Sequence, residues 1–101
     1  MSKVLISKLS SKETRKMQQH LCSKMASLKT KKQIEEFLED VLTDSEIIML
    51  LRRLQIAKLL LDGNTYFEIR EKLGVGVDTI KNVRYKLEKG SGGYLNFIKK
   101  L

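Results

Sequence analysis

The sequence predicts an all-α protein of about five to six helices, and three observations predict it. Its 101 residues contain no proline, so no position forbids helical continuation. Four Ser or Thr residues stand three before a Glu or Gln, at Ser10/Glu13, Thr30/Gln33, Thr43/Glu46 and Thr65/Glu68. That is the spacing of a capping box, in which the two side chains satisfy orphan backbone N–H groups at a helix start. No segment alternates apolar and polar residues for long enough to make a strand. The length fits one domain, residues 1–101. A core of this size is small, so a partner subunit is expected from the outset.

The first helix should run from Ser11 to Leu28, with Met17, Leu21, Met25 and Leu28 as a narrow apolar stripe. Such a stripe needs another helix to cover it. The second, Lys31 to Val41, places Ile34, Phe37, Leu38 and Val41 on one face and Glu35, Glu36, Glu39 and Asp40 elsewhere. The third, Asp44 to Asp62, carries Ile47, Ile48, Met49, Leu50, Leu51, Leu54, Ile56, Ala57, Leu59, Leu60 and Leu61, and has no broad polar face. A helix apolar on most sides is surrounded by protein. One short chain is not expected to supply all of that cover. The expectation is therefore an intertwined homodimer, with residues 11–62 as its helical core and Met17, Leu21, Met25, Phe37, Leu38, Leu50 and Leu54 at the dimer interface. Gly63 follows as a left-handed helix stop.

Residues 65–89 read as a helix-turn-helix. Thr65 caps a helix of about two turns, Gly74 supplies the turn, and a second helix carries Ile80, Val83 and Leu87 at helical spacing. If those three pack inward with Ile69 and Leu73, the opposite face presents Asp78, Thr79, Lys81, Asn82, Arg84, Tyr85 and Lys86. In such a motif the second helix lies in the DNA major groove, with its first residues at base edges. Arg and Asn bond bidentately to guanine and adenine, and a Thr methyl touches thymine. The expected base contacts are Val77, Asp78, Thr79, Lys81 and Asn82. Phosphate contacts are expected from Thr65 and Tyr66 at a helix N-terminus, and from Arg70, Lys72, Arg84 and Lys86. A Gly-Ser-Gly-Gly linker at 90–93 leads to a last short helix or tail, 94–101.

The charge map agrees. Residues 1–32 carry nine Lys/Arg against one Glu, residues 33–63 three against seven Asp/Glu, and residues 64–101 eight against four, for a formal net charge of +8. Two basic ends thus flank an acidic middle, which favours a polyanionic partner. A single cysteine, Cys22, allows neither an intramolecular disulfide nor a thiolate zinc cluster. His20 stands two residues from it and points elsewhere on the helix. No catalytic constellation, metal or cofactor is expected. No run approaches a membrane span and no signal peptide is recognisable, so a cytoplasmic protein without membrane contact is expected.

Several ordered pieces then match a known family. FLEDVLT at 37–43, RRLQIAKLLLDGNTYFEI at 52–69, LGVGVDTIKNV at 73–83 and GSGGY at 90–94 together resemble the Trp repressor superfamily, especially its TrpR-like (YerC/YecD-type) branch. The resemblance implies an intertwined homodimer presenting two helix-turn-helix motifs to successive major grooves of a palindromic operator, with repression or a related regulatory role. It also implies a departure. Tryptophan-responsive members grip the amino acid partly through a recognition-helix arginine; Asn82 stands there, with Val83 replacing the adjacent glycine and Lys86 a nearby serine. No tryptophan corepressor is expected. Two further readings compete with a sequence-specific regulator: a protein-interaction module of the transcription machinery, and a nonspecific basic DNA-binding protein.

Overall fold

A computed structural model describes residues 9–99. Among them are six α-helices and no strand: α1 Ser11–Met25, α2 Lys31–Val41, α3 Asp44–Leu61, α4 Tyr66–Leu73, α5 Val77–Lys89 and α6 Gly93–Lys99. The chain divides into two compact units, Met1–Val41 and Leu42–Leu101.

In the first unit no residue of α1 or α2 is buried. Helix α1 stops at Met25, three residues before the expected Leu28. The cause lies in the start of α2. The Gln33 side chain accepts from the backbone N–H groups of Lys29 (2.6 Å) and Thr30 (3.3 Å), while Gln33 N–H donates to the Thr30 hydroxyl (3.1 Å). Once the cap of α2 has claimed residues 29 and 30, α1 cannot continue through them. The Met17/Leu21/Met25 stripe stands about half exposed, while Phe37 and Leu38 of α2 are half-buried.

The second unit is built on α3. Thr43 and Glu46 form a reciprocal capping box at its start, with Thr43 N–H to Glu46 Oε1 at 2.9 Å and Glu46 N–H to Thr43 Oγ1 at 3.2 Å. Its end is a Schellman motif: Gly63 N–H donates to the Leu60 carbonyl and Asn64 N–H to the Leu59 carbonyl. Gly63 has φ +89°, a conformation that suits glycine. Of the four expected boxes, those of α2, α3 and α4 are reciprocal, while Ser10 only accepts from Glu13 N–H.

Ile56 and Ala57 of α3 pack with Ile69 of α4 and Ile80 and Val83 of α5 into a core from which solvent is excluded. Leu59, Leu60, Leu73, Val75, Leu87, Tyr94 and Ile98 lean on its edges. Burying each of the three isoleucines contributes about 1.5–3 kcal/mol. Only the C-terminal half of α3 is used in this way. Along its N-terminal half Ile48, Met49, Leu50 and Leu51 stay exposed, Ile48 at 57%.

The boxes make a pH prediction. Backbone and hydroxyl hydrogen bonds from Thr43 and Thr65 hold the Glu46 and Glu68 carboxyls below their ordinary value of 4.5. A carboxyl depressed in the folded state stabilises it above the unfolded pKa and loses that contribution as pH falls through the folded one. Urea midpoints should therefore drop as pH is taken from 6 to 3, and the drop should be smaller in a Glu46→Gln/Glu68→Gln variant. Equal drops in both proteins would refute the assignment.

Candidate nucleic-acid interface

The local chemistry of residues 65–89 fixes which side chains face outward. Thr65 N–H donates to Glu68 Oε1 (2.9 Å) and Glu68 N–H to Thr65 Oγ1 (3.1 Å), which starts α4. Ile69 is fully buried, with Tyr66 and Leu73 half-buried on the same side. Gly74 then takes a left-handed φ of +66° while its N–H closes on the Arg70 carbonyl at 2.8 Å. This ends α4 and swings the chain through Val75 and Gly76 into α5.

On α5, Ile80 and Val83 are buried and Leu87 half-buried, as the apolar spacing requires. Asp78, Lys81, Asn82, Arg84, Tyr85 and Lys86 are exposed. Val77 and Thr79, expected among the outward residues, are half-buried. At 100° per residue Thr79 lies only about 40° around the helix from Val83, on the flank of the buried stripe, and Val77 about 60° from Ile80.

The phosphate candidates divide into four groups. Arg70 and Lys86 are exposed. Lys72 reaches back to the loop before α4, its Nζ donating to Asn64 Oδ1 at 3.0 Å. At Thr65 the capping box occupies two of the N–H groups that were expected to be free for a phosphate, and brings the Glu68 carboxylate to the same helix end. Tyr66 and Arg84 meet each other. Arg84 Nη1 donates to the Tyr66 hydroxyl (3.3 Å), its guanidinium carbon lies 5.7 Å from the Tyr66 ring centroid, and its Nε donates to Glu88 Oε1 (3.0 Å). The hydrogen bond to Tyr66, then that to Glu88, raises the Arg84 pKa above its ordinary value.

Sequence reasoning passed over Glu88 and Asn64. The four-residue spacing of Arg84 and Glu88 is a signal that would have found the ion pair. Tyr66 is eighteen residues from Arg84, and no local spacing reveals that meeting.

A short helix, a glycine turn and a second helix with a buried stripe and an exposed basic face make up a helix-turn-helix of the kind that DNA-binding regulators carry. The family model of the Trp repressor protein matches residues 16–101, and the chain belongs to the Trp repressor family. A curated relative, the uncharacterized protein YerC of Bacillus subtilis (strain 168), is 35% identical over 74 residues, which are 73% of this chain and 71% of YerC. A TrpR-like protein from Eubacterium eligens ATCC 27750 superposes with a TM-score of 0.74 at 35% identity, covering 81% of this chain and 84% of that one. A candidate Trp repressor from Staphylococcus aureus superposes with a TM-score of 0.75 at 28% identity, covering 97% and 94%. The family and the motif make this an all-α, DNA-binding protein of transcription regulation. No helix among the described residues is long and apolar enough to cross a membrane.

The turn is the point where one substitution should act on both helices. Gly74→Ala keeps open space around the new Cβ but strains a left-handed backbone. It should cost about 1–2 kcal/mol in urea unfolding, and an unchanged midpoint would show that the turn relaxes.

Proposed function

We propose that the protein is a sequence-specific regulator of transcription, a repressor, that binds a palindromic duplex as a homodimer through residues 65–89. The observation that carries this is the sidedness of α5. With Ile80 and Val83 locked into the core, Lys81, Asn82 and Lys86 are held outward on a rigid helix. Lys81 and Asn82 reach base edges near the helix start, with Asp78, Val77 and Thr79 beside them. Arg70, Lys72, Arg84 and Lys86, with the Tyr66 hydroxyl, take the phosphates, and Thr65 serves by starting α4 beside them.

The dimer is supported by apolar surface left without cover. On α3, Ile48, Met49, Leu50 and Leu51 are exposed in one run, more than the scattered apolar residues of a monomer surface, and on α1 Met17, Leu21 and Met25 are exposed as well. Two copies joined through residues 11–62 would bury these positions, and Phe37, Leu38 and Leu54 with them. The same organisation makes residues 1–101 one domain with a dimerisation core and a reading head.

Free tryptophan does not fit the recognition helix. The Val83 side chain is packed into the core at the position where tryptophan-responsive members carry glycine, and Asn82 offers a neutral amide to a carboxylate. Calorimetry with saturating L-tryptophan should register no binding heat; a saturable isotherm would overturn this.

Selection from a random duplex pool at near-physiological salt tests the main reading. The wild-type chain should enrich a palindrome, and a Lys81→Ala/Asn82→Ala variant should lose the enrichment while keeping its fold. A retained but unsorted pool would indicate a nonspecific basic protein. No retention would indicate a protein partner instead.

A further inference from the structure

We propose that Glu88 is a positioning residue for DNA binding: it holds the Arg84 guanidinium on the Tyr66 ring, so that Arg84 and the Tyr66 hydroxyl form one shared backbone-phosphate seat spanning α4 and α5. The inference rests on the DNA-binding reading and adds to it a residue whose charge is wrong for a DNA contact.

The geometry is more specific than an ordinary surface ion pair. Exposed pairs four apart on a helix contribute little and hold little. Here the cation has three contacts: Nε donates to Glu88, Nη1 donates to the Tyr66 hydroxyl, and the guanidinium carbon lies over the Tyr66 ring at 5.7 Å from its centroid. The platform under it does not move freely, because Tyr66 is half-buried and packed against the core. Arg84 and Glu88 themselves keep more than half of their side-chain surface exposed, at 55% and 56%. The seam also opens into a recess of about 560 Å³ that Tyr66, Arg84 and Glu88 help to line. A ligand can therefore reach the group.

The donor inventory says which ligand. A guanidinium has five N–H groups, and the bonds to Glu88 and Tyr66 use two, leaving three. The Tyr66 oxygen accepts from Arg84, so its own O–H proton is left to donate elsewhere. A cation with several N–H donors beside a hydroxyl donor suits an anion with several oxygens, and a phosphodiester supplies two. A long arginine side chain ordinarily loses rotamer freedom when it meets a phosphate. Held in place beforehand, it loses less. Glu88 opposes DNA by its charge and favours it by this restraint, and the two effects separate by substitution: Glu88→Gln removes the charge and keeps an acceptor for Nε, whereas Glu88→Ala removes both.

The experiment measures affinity for the selected duplex against salt for wild type, Glu88→Gln and Glu88→Ala, each with and without Arg84→Ala. It is repeated on duplexes carrying one neutral methylphosphonate at each backbone position in turn. Urea midpoints exclude misfolded variants, and Arg84→Lys, a cation unable to span both partners, stands in if Arg84→Ala unfolds. Glu88→Gln should bind severalfold tighter than Glu88→Ala, and that gap should vanish without Arg84. Arg84→Ala should flatten the logarithmic salt slope by about 0.9. One methylphosphonate should cost wild type roughly tenfold and cost Arg84→Ala nothing further. Equal affinities of the two Glu88 variants, or a salt slope untouched by Arg84→Ala, would overturn the proposal while a palindrome lost in Lys81→Ala/Asn82→Ala left DNA reading intact. A wild-type chain that retains no duplex would sink both.

Discussion

The packing of Ile56 and Ala57 against Ile69, Ile80 and Val83 is the constraint on which the rest of the reading head depends. These side chains come from three helices, and the two of the reading head, α4 with eight residues and α5 with thirteen, are too short to hold their shape alone. Helix α4 has only eight residues, well under the length at which an isolated helix is stable in water. Tertiary burial, and not propensity, keeps it folded. Because α5 enters the same cluster through Ile80 and Val83, its rotation about its own axis is set by the core. Which side chains it shows to solvent is then a consequence of which two it hides.

The ends of the helices are the complementary half of the design. Thr43/Glu46 and Thr65/Glu68 satisfy N-terminal N–H groups, and the Gly63 and Gly74 stops satisfy C-terminal carbonyls. These interactions are local, within about six residues, so they were legible in the sequence. The spacing of Ser or Thr to Glu or Gln found three reciprocal boxes, and the glycines marked both stops. The end of α1 was not legible, since Gln33 captures two backbone N–H groups ahead of its own helix and cuts α1 short. Apolar periodicity alone could not report that competition.

The site was legible in outline and not in detail, for the same reason. Periodicity gave the buried stripe of α5 and hence its outward face. It could not show that Thr79 lies on the flank of that stripe, because the width of a buried stripe depends on what packs against it. Nor could it show that Arg84, read as one more basic residue, is engaged by Tyr66 and Glu88. A basic face on a helix is therefore not a uniform field of available cations. On α5, Lys81 and Lys86 are exposed, whereas Arg84 is already held by Glu88 and by the Tyr66 hydroxyl and ring.

Helix α3 joins these two levels. Its C-terminal half spends Ile56, Ala57, Leu59 and Leu60 inside the chain, on the cluster that orients the reading head. Its N-terminal half shows Ile48, Met49, Leu50 and Leu51 to solvent. Exposing so many large apolar side chains along one helix is costly in water, since each, about half exposed, forgoes part of the roughly 1.5–3 kcal/mol that full burial brings. A second copy that covered this half would stabilise the same helix that orients α5. In that arrangement assembly and DNA reading would not be separate properties: the population of chains with a well-held recognition helix would rise with protein concentration, by mass action. One rod-like helix can thus hold a reading head at one end and leave its other end for assembly.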